Sequence, residues 1–389
     1  MPVINRIAEF HEEITAWRRD LHAHPEVLFD TVRTGAIVAQ KLQEFGCDEV
    51  ITGLATNGVV GIINGRSNGS GRTIGLRADM DALPMTEKSG KPYASTVAGK
   101  MHACGHDGHT AMLLGAAKYL AETRNFEGRV ALIFQPAEEG GGGGKVMLED
   151  GLLERVAIDE FYGMHNWPGM PVGSFGIRTG GIMAATDRFY IDITGKGGHA
   201  ARPHETIDPI IVGAQLVTAL QTIVSRNLDP LSSAVLSVTM MEAGEADNVI
   251  SRTAKITGTV RTLDGAVQDM IESRLAEFVP QFARSFGAEA SVRYARGYPV
   301  TVNTPEQTAF AAEVAAEVAG EDRVDTDAPP SMGGEDFSFM LEKRPGAYIF
   351  LGNGNSSELH TDTYDFNDDA IPVGSSYWVR LVEKALPAS

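Results

Sequence analysis

Phe189-Tyr-Ile-Asp-Ile-Thr194 alternates apolar and polar side chains, the period-two signature of a half-buried strand. The segments downstream of this strand decide the arrangement. Asp208–Asn227 carries a long helical pattern, Ala234–Met241 and Ala254–Arg261 read as strands, Val267–Phe286 as a helix and Ala290–Tyr294 as a last strand. That β-α-β-β-α-β order is the ferredoxin-like split arrangement, a self-contained α+β unit. Outward from it the pattern changes. Upstream, Gly58–Ile63, Thr73–Arg77, Arg129–Phe134, Phe161–Met164 and Ser174–Ile177 read as strands. Helices alternate with them: Ile7, Phe10, Ile14, Trp17 and Leu21 repeat at helical spacing over Ile4–His22, and His106–Thr123 forms another. Downstream, Thr304–Gly320 is helical with Pro305 at its first position, Tyr348–Leu351 is a strand and Ile371–Leu386 a closing helix. Alternating strands and helices imply an α/β fold, a three-layer α/β/α domain with a mixed, mostly parallel sheet. The expectation is one such domain over residues 1–183 and 295–389, interrupted by the ferredoxin-like insertion at 184–294.

Composition narrows what this fold does. At 389 residues, two domains are the natural expectation, and 43% apolar with 22% charged residues are ordinary globular values. A formal charge of −18 argues against nucleic acid as a partner, because a phosphate backbone wants clustered Lys and Arg. No run approaches about 18 consecutive apolar residues, so neither a transmembrane helix nor a membrane partner is expected. Met1 to Phe10 has charges where a signal peptide needs an apolar run. Two cysteines, Cys47 and Cys104, make no disulfide framework, which fits a cytoplasmic protein.

In α/β proteins, functional side chains gather where strands end. Asp79 and Asp81 follow Thr73–Arg77; Met101-His-Ala-Cys-Gly-His-Asp-Gly-His-Thr110 opens a helix; Glu138 and Glu139 follow Arg129–Phe134; His165 follows Phe161–Met164; and His360 lies beyond Tyr348–Leu351. Thiolate, imidazole and carboxylate together suit zinc, manganese, cobalt or nickel. One ion takes about four or five ligands, so a set this large implies two divalent ions. Neighbouring side chains at a strand end diverge, so one of Glu138 and Glu139 can bind metal while the other faces a water. Two glycine-rich stretches carry no nucleotide fingerprint. Gly140–Gly144 before Lys145 has Val146 where a phosphate loop needs Ser or Thr, and reads instead as a turn letting backbone approach the metals. His11 reads as a helix-surface residue, and His22 and His24 as structural or solvent-facing.

His102-Ala-Cys-Gly-His-Asp-Gly-His-Thr110, Gln135-Pro-Ala-Glu-Glu-Gly140, Gly163-Met-His-Asn166, Gly197-Gly-His-Ala-Ala-Arg-Pro-His204 and Met332-Gly-Gly-Glu-Asp-Phe337 are all present in this order. Together they resemble the amidohydrolase branch of the dinuclear aminoacylase/carboxypeptidase metallopeptidases, which includes hippurate hydrolases, N-acyl amino-acid amidohydrolases and auxin-conjugate hydrolases. The resemblance runs from about Ile14 to the C-terminal helix. It implies that the outer domain is catalytic, with Cys104, His106, Glu139, His165 and His360 holding the two ions. It also implies that Glu138 is the general base, that Asp81, and more weakly Asp79, orient ligands, and that His199 contacts the scissile carbonyl. Asn248 and Arg261 are implied to bind the substrate's carbonyl or carboxylate, and Gly333 and Gly334 to lay backbone against it. The insertion is then a lid and dimerisation domain, and the chain a homodimer in which His199 can reach the partner's site.

The reaction so implied is metal-dependent hydrolysis of an N-acyl amino acid, a small-molecule substrate, to a carboxylic acid and a free amino acid. Glu138 would take the proton of the attacking water and return it to the leaving nitrogen. Three other readings stand beside it: a metallo-carboxypeptidase or dipeptidase, a non-catalytic metal- or ligand-binding protein, and a cysteine hydrolase using Cys104 with His106 or His109.

Overall fold

Strands Gly58–Asn64, Thr73–Asp79 and Arg129–Gln135 are buried along nearly their whole length, so their sheet needs cover on both faces. Two glycines show that cover. A Cβ on Gly61 would press on Leu42 of the helix Val32–Phe45. One on Gly58 would meet Met147 of the helix Gly143–Glu149, on the opposite face. The computed structural model describes residues 3–67, 69 and 71–388. Its chain divides into two units, Met1–Gly180 with Val302–Pro329 and Asp336–Ser389, and Gly181–Thr301 with Pro330–Glu335.

The first unit holds a sheet in the order Glu49–Leu54, Gly58–Asn64, Arg129–Gln135, Thr73–Asp79, Glu160–Pro168, Gly346–Gly354, Phe175–Gly176, Val324–Asp325. The strands Arg129–Gln135, Thr73–Asp79, Glu160–Pro168 and Gly346–Gly354 run parallel, and antiparallel pairings flank them. The helix His106–Thr123 is buried over most of its length, between the sheet and the helices His11–Ala23 and Ile371–Ala385. Its bounds match the sequence reading.

Three features depart from that reading. The segment Ile4–His22 is two helices, Asn5–Glu9 and His11–Ala23, turning at Phe10, whose buried ring lies under Arg6 and Lys118. The helix Val32–Phe45 and the strand Glu49–Leu54 were not anticipated. That strand is an edge with little buried surface, so its sequence carries no clear alternation.

The second unit is a four-stranded antiparallel sheet, ordered Ala234–Ala243, Thr253–Thr262, Ala185–Thr194, Glu289–Arg296. The helices Pro209–Thr222 and Gly265–Ser285 complete the ferredoxin-like topology. Phe189, Ile191 and Ile193 meet Val212, Leu216, Leu220, Ile271 and Leu275 in its core. Asp208 and Asp264 cap the two helices through backbone N–H groups of Ile210, Ala266 and Val267. Pro209–Asn227 has a mean hydropathy of 1.2 over its most apolar window, yet only 33% of that window is buried. Among the described residues it alone is long and apolar enough to cross a membrane by composition, although Val212, Leu216 and Leu220 pack into the core. The loop Pro330–Glu335, with Gly333 and Gly334, joins this unit from outside the contiguous insertion.

Candidate metal centre

Four parallel strands finish at one edge of the large sheet and bring the candidate residues there. Two turns need backbone that side chains rarely adopt. Ala137 (φ 58°) precedes Glu138 and Glu139, and His360 (φ 61°) is itself in the left-handed region. The His360 N–H donates to the Ala103 carbonyl at 2.8 Å, tying its loop to the segment before Cys104.

The candidate ligand atoms converge. Cys104 Sγ lies 3.4 Å from His165 Nε2, and His360 Nε2 lies 3.2 Å from Glu139 Oε1. Candidate donor atoms of Cys104, His106 and His165 fall within 4.8 Å of one another, as do those of Cys104, Glu139 and His360, and of His106, Glu138 and Glu139. Both ring nitrogens of His106, and Glu139 Oε1, are buried without a hydrogen-bond partner among the described residues. Buried polar atoms are seldom left so, and a cation satisfies lone pairs that converge in this way.

The electrostatics point the same way. Burial alone would lower the His106 imidazole, but Asp79, Asp81 and Glu139 outweigh it and raise it to about 10. Burial, then the charges of Glu139, Glu138 and Asp79, push the Cys104 thiol up. A nucleophilic cysteine needs the opposite shift, so the surroundings oppose a cysteine hydrolase. A divalent cation reverses the balance and holds the thiolate. His165 is pushed down by burial and by His109 and His106; its Nδ1 donates to the Asn166 carbonyl at 2.6 Å, so Nε2 presents a lone pair.

Asp79, Asp81 and His109 are engaged elsewhere. Asp81 accepts the backbone N–H groups of Glu138 (2.9 Å) and Glu139 (3.1 Å) and lies 3.5 Å from His106 Nδ1. Asp79 accepts from Arg77 (2.7 Å) and from His109 Nδ1 (2.6 Å). The N–H of Asn166 donates to His109 Nε2 at 2.9 Å, which uses the second nitrogen of His109. The side-chain amide of Asn166 donates to the Cys104 carbonyl at 2.6 Å. Arg77, fully buried, also binds Gln135 and Asp336. Sequence reasoning did not single out Arg77 or Asn166; the available signal was an arginine inside a strand buried on both faces. His22 proves structural, bonded to Asp107 at 2.8 Å, and His11 reaches the Asp368 carbonyl at 2.9 Å. Gly143 lies against the carbonyl of Pro136, leaving no space for a side chain, and Gly144 N–H donates to Asp336.

In the second unit, His199 and Asn248 sit together and exposed. The strand pair Gly198–His199 and Val249–Ile250 joins them, and Ala200 N–H donates to the Asn248 carbonyl. His199 Nδ1 accepts from Ala201 N–H at 3.1 Å. Arg261 binds Thr259 Oγ1 and the Val260 carbonyl, and among the described residues it has no ion pair. It pairs across the sheet with Thr186, and a Cβ on Gly334 would lie 2.1 Å from Thr186 Cγ2. Gly333 accepts from Ala184 N–H. The unit therefore brings Arg261, Gly333 and Gly334 to one end of the strand Ala185–Thr194, and His199 and Asn248 to the other. From Thr186 to Thr194 the strand spans roughly 26 Å at about 3.3 Å per residue.

A family model described as peptidase family M20/M25/M40 matches residues 75–384. The chain is similar to the hippurate hydrolase of Campylobacter jejuni, 43% identical over 99% of this chain and 100% of that protein. It is similar to the N-acetyl-L-cysteine deacetylase of Bacillus subtilis, 42% identical over 98% of this chain and 89% of that one. Its fold matches the crystal structure of a dinuclear metal binding peptidase of Bacillus subtilis with a TM-score of 0.86 at 36% identity, covering 97% and 99% of the two chains. The candidate ligand cluster at the sheet edge and near-complete alignment to these relatives agree, and the chain belongs to peptidase family M20/M25/M40.

Proposed function

We propose that this protein is a metal-dependent amidohydrolase that cleaves N-acyl amino acids to a carboxylic acid and a free amino acid. The convergence of Cys104, His106, Glu139, His165 and His360, with His106 Nε2 and Glu139 Oε1 buried and without a hydrogen bond among the described residues, carries the reading. These five residues would hold two divalent ions. The mixed thiolate, imidazole and carboxylate set suits zinc, manganese, cobalt or nickel. Bound there, the ions supply Lewis acidity toward the amide carbonyl and toward water.

Glu138, largely buried beside Glu139, takes the proton of the attacking water and returns it to the leaving nitrogen. Asp81 fixes the backbone from which both glutamates project. Arg261, which has no carboxylate partner among the described residues, receives the substrate's carboxylate, with the backbone of Gly333 and Gly334 alongside. His199 and Asn248 lie beyond one end of the strand Ala185–Thr194 and Arg261 pairs near its other end, which favours their reaching different substrates. They therefore serve the site of a second protomer, where His199 Nε2 faces the developing oxyanion. The second unit is suited to that pairing. Ala234–Ala243 is an edge strand with Met240 and Met241 exposed, beside an apolar helix carrying exposed Ile210 and Ile211. These elements would join two copies into a homodimer. Cys47 and Cys104 are both unpaired, which fits a reducing cytoplasm.

The deciding measurement is hydrolysis of hippurate, N-acetylmethionine and a dipeptide panel, before and after chelation and re-addition of each metal. Loss with chelator and return with metal on the acylated substrates supports the proposal. Turnover of free dipeptides alone would replace it with a peptidase, and chelator-resistant turnover would remove the metals from the reaction.

A further inference from the structure

The strand Glu160–Pro168 is buried from Phe161 through Asn166, yet Trp167, two residues beyond His165 on the same face, stays partly exposed. Its ring centroid lies 6.1 Å from that of His165, with the planes at 72°. The indole stacks on Phe350 at 4.0 Å and 27°. Phe350 is buried, pairs in register with His165 on the next strand, and so holds the indole from behind. A core-filling tryptophan would be covered by its neighbours; this one keeps part of a rigid aromatic surface open beside a proposed metal ligand.

We propose that Trp167 is a specificity-determining residue, forming the wall against which the acyl substituent lies and favouring flat aromatic acyl groups over acetyl. The inference rests on the reading that the site cleaves N-acyl amino acids. A carbonyl held at the ligand cluster places its substituent one bond away, within reach of the neighbouring indole. Aromatic pairs favour offset or edge-on contacts at about 4.5–7 Å between centroids, and an acetyl methyl offers no such surface.

The test compares hippurate with N-acetylglycine, which differ only in the acyl group, on metal-loaded wild type, Trp167→Leu and Trp167→Phe. Calorimetric binding of benzoate and of acetate adds a readout without turnover. In Trp167→Leu the hippurate-to-acetylglycine ratio of kcat/KM should fall about tenfold or more, mostly through KM, and benzoate binding should weaken while acetate binding does not. Trp167→Phe should keep most of the preference. A parallel loss on both substrates, or an unchanged ratio, overturns the assignment and leaves Trp167 a support for His165. Wild type that binds two ions but cleaves neither substrate overturns the hydrolase reading, and this inference with it.

Discussion

Replacing Asp81 by asparagine changes little volume but removes one acceptor from the centre of the site. Asp81 is 1% exposed, and its two oxygens serve two different backbone N–H groups, those of Glu138 and Glu139. Asparagine keeps a single oxygen, so in either orientation an amide nitrogen confronts one of those N–H groups. A buried donor left without an acceptor costs about 1–3 kcal/mol. Oxygen at the position nearer His106 is the favoured orientation, because it retains the Glu138 bond and the 3.5 Å approach to His106 Nδ1. The loss then falls on Glu139, a proposed ligand, and at 1.4 kcal/mol per tenfold it amounts to roughly 10- to 100-fold in metal affinity. Competition with a fluorescent chelator measures that affinity, and urea unfolding of the metal-free protein separates it from global stability. Asp81→Asn with native metal affinity would refute the argument that Asp81 positions the two glutamates.

Glu138→Ala should retain both ions by elemental analysis while turnover drops roughly 10²- to 10⁴-fold; a near-native rate would remove Glu138 as the base. Mixing Glu138→Ala with His199→Ala subunits should regenerate about a quarter of wild-type activity if His199 acts across a two-fold dimer, because half of the random dimers carry one intact site. No recovery in exchanged dimers would place His199 in its own subunit's site, and near-native activity of His199→Ala alone would put it outside the reaction. His22 offers a pH test: burial lowers it, but Asp107 and Glu87 outweigh that and raise it to about 9, above its ordinary 6.5. Its stabilising contribution is complete below 6.5 and lost as pH rises through 9, so the urea midpoint should fall more between about pH 6 and about pH 9.5 in wild type than in His22→Gln. Equal slopes would show that the His22 pairing does not carry the dependence.

Local pattern carried much of this protein into view. The alternation of Phe189–Thr194 and the helical spacing of His106–Thr123 are short-range properties, and each element appears where its sequence places it. The clustering of Cys104, His106, Glu138, Glu139, His165 and His360 was also legible, because each lies near a recognisable strand end or helix start. The edge strand Glu49–Leu54 was not, since an edge buries too little to impose alternation.

What only tertiary structure decided is which groups remain available. His109 stands in the same motif as His106, with the same side chain. Asp79 and Asn166 use both of its nitrogens, whereas neither nitrogen of His106 has a hydrogen-bond partner among the described residues. Arg77 and Asp336, far apart in sequence, are 2.8 Å apart in the fold. Arg261 pairs with Thr186 near one end of the strand Ala185–Thr194 and His199 lies beyond its other end, which turns the proposed substrate-binding residues into an argument for two protomers. Sequence set the donors because residue type fixes chemistry and short-range periodicity fixes strand ends. Long-range packing chose among them, because a lone pair is free to bind a cation only when no neighbour brought in from elsewhere in the chain has already taken it.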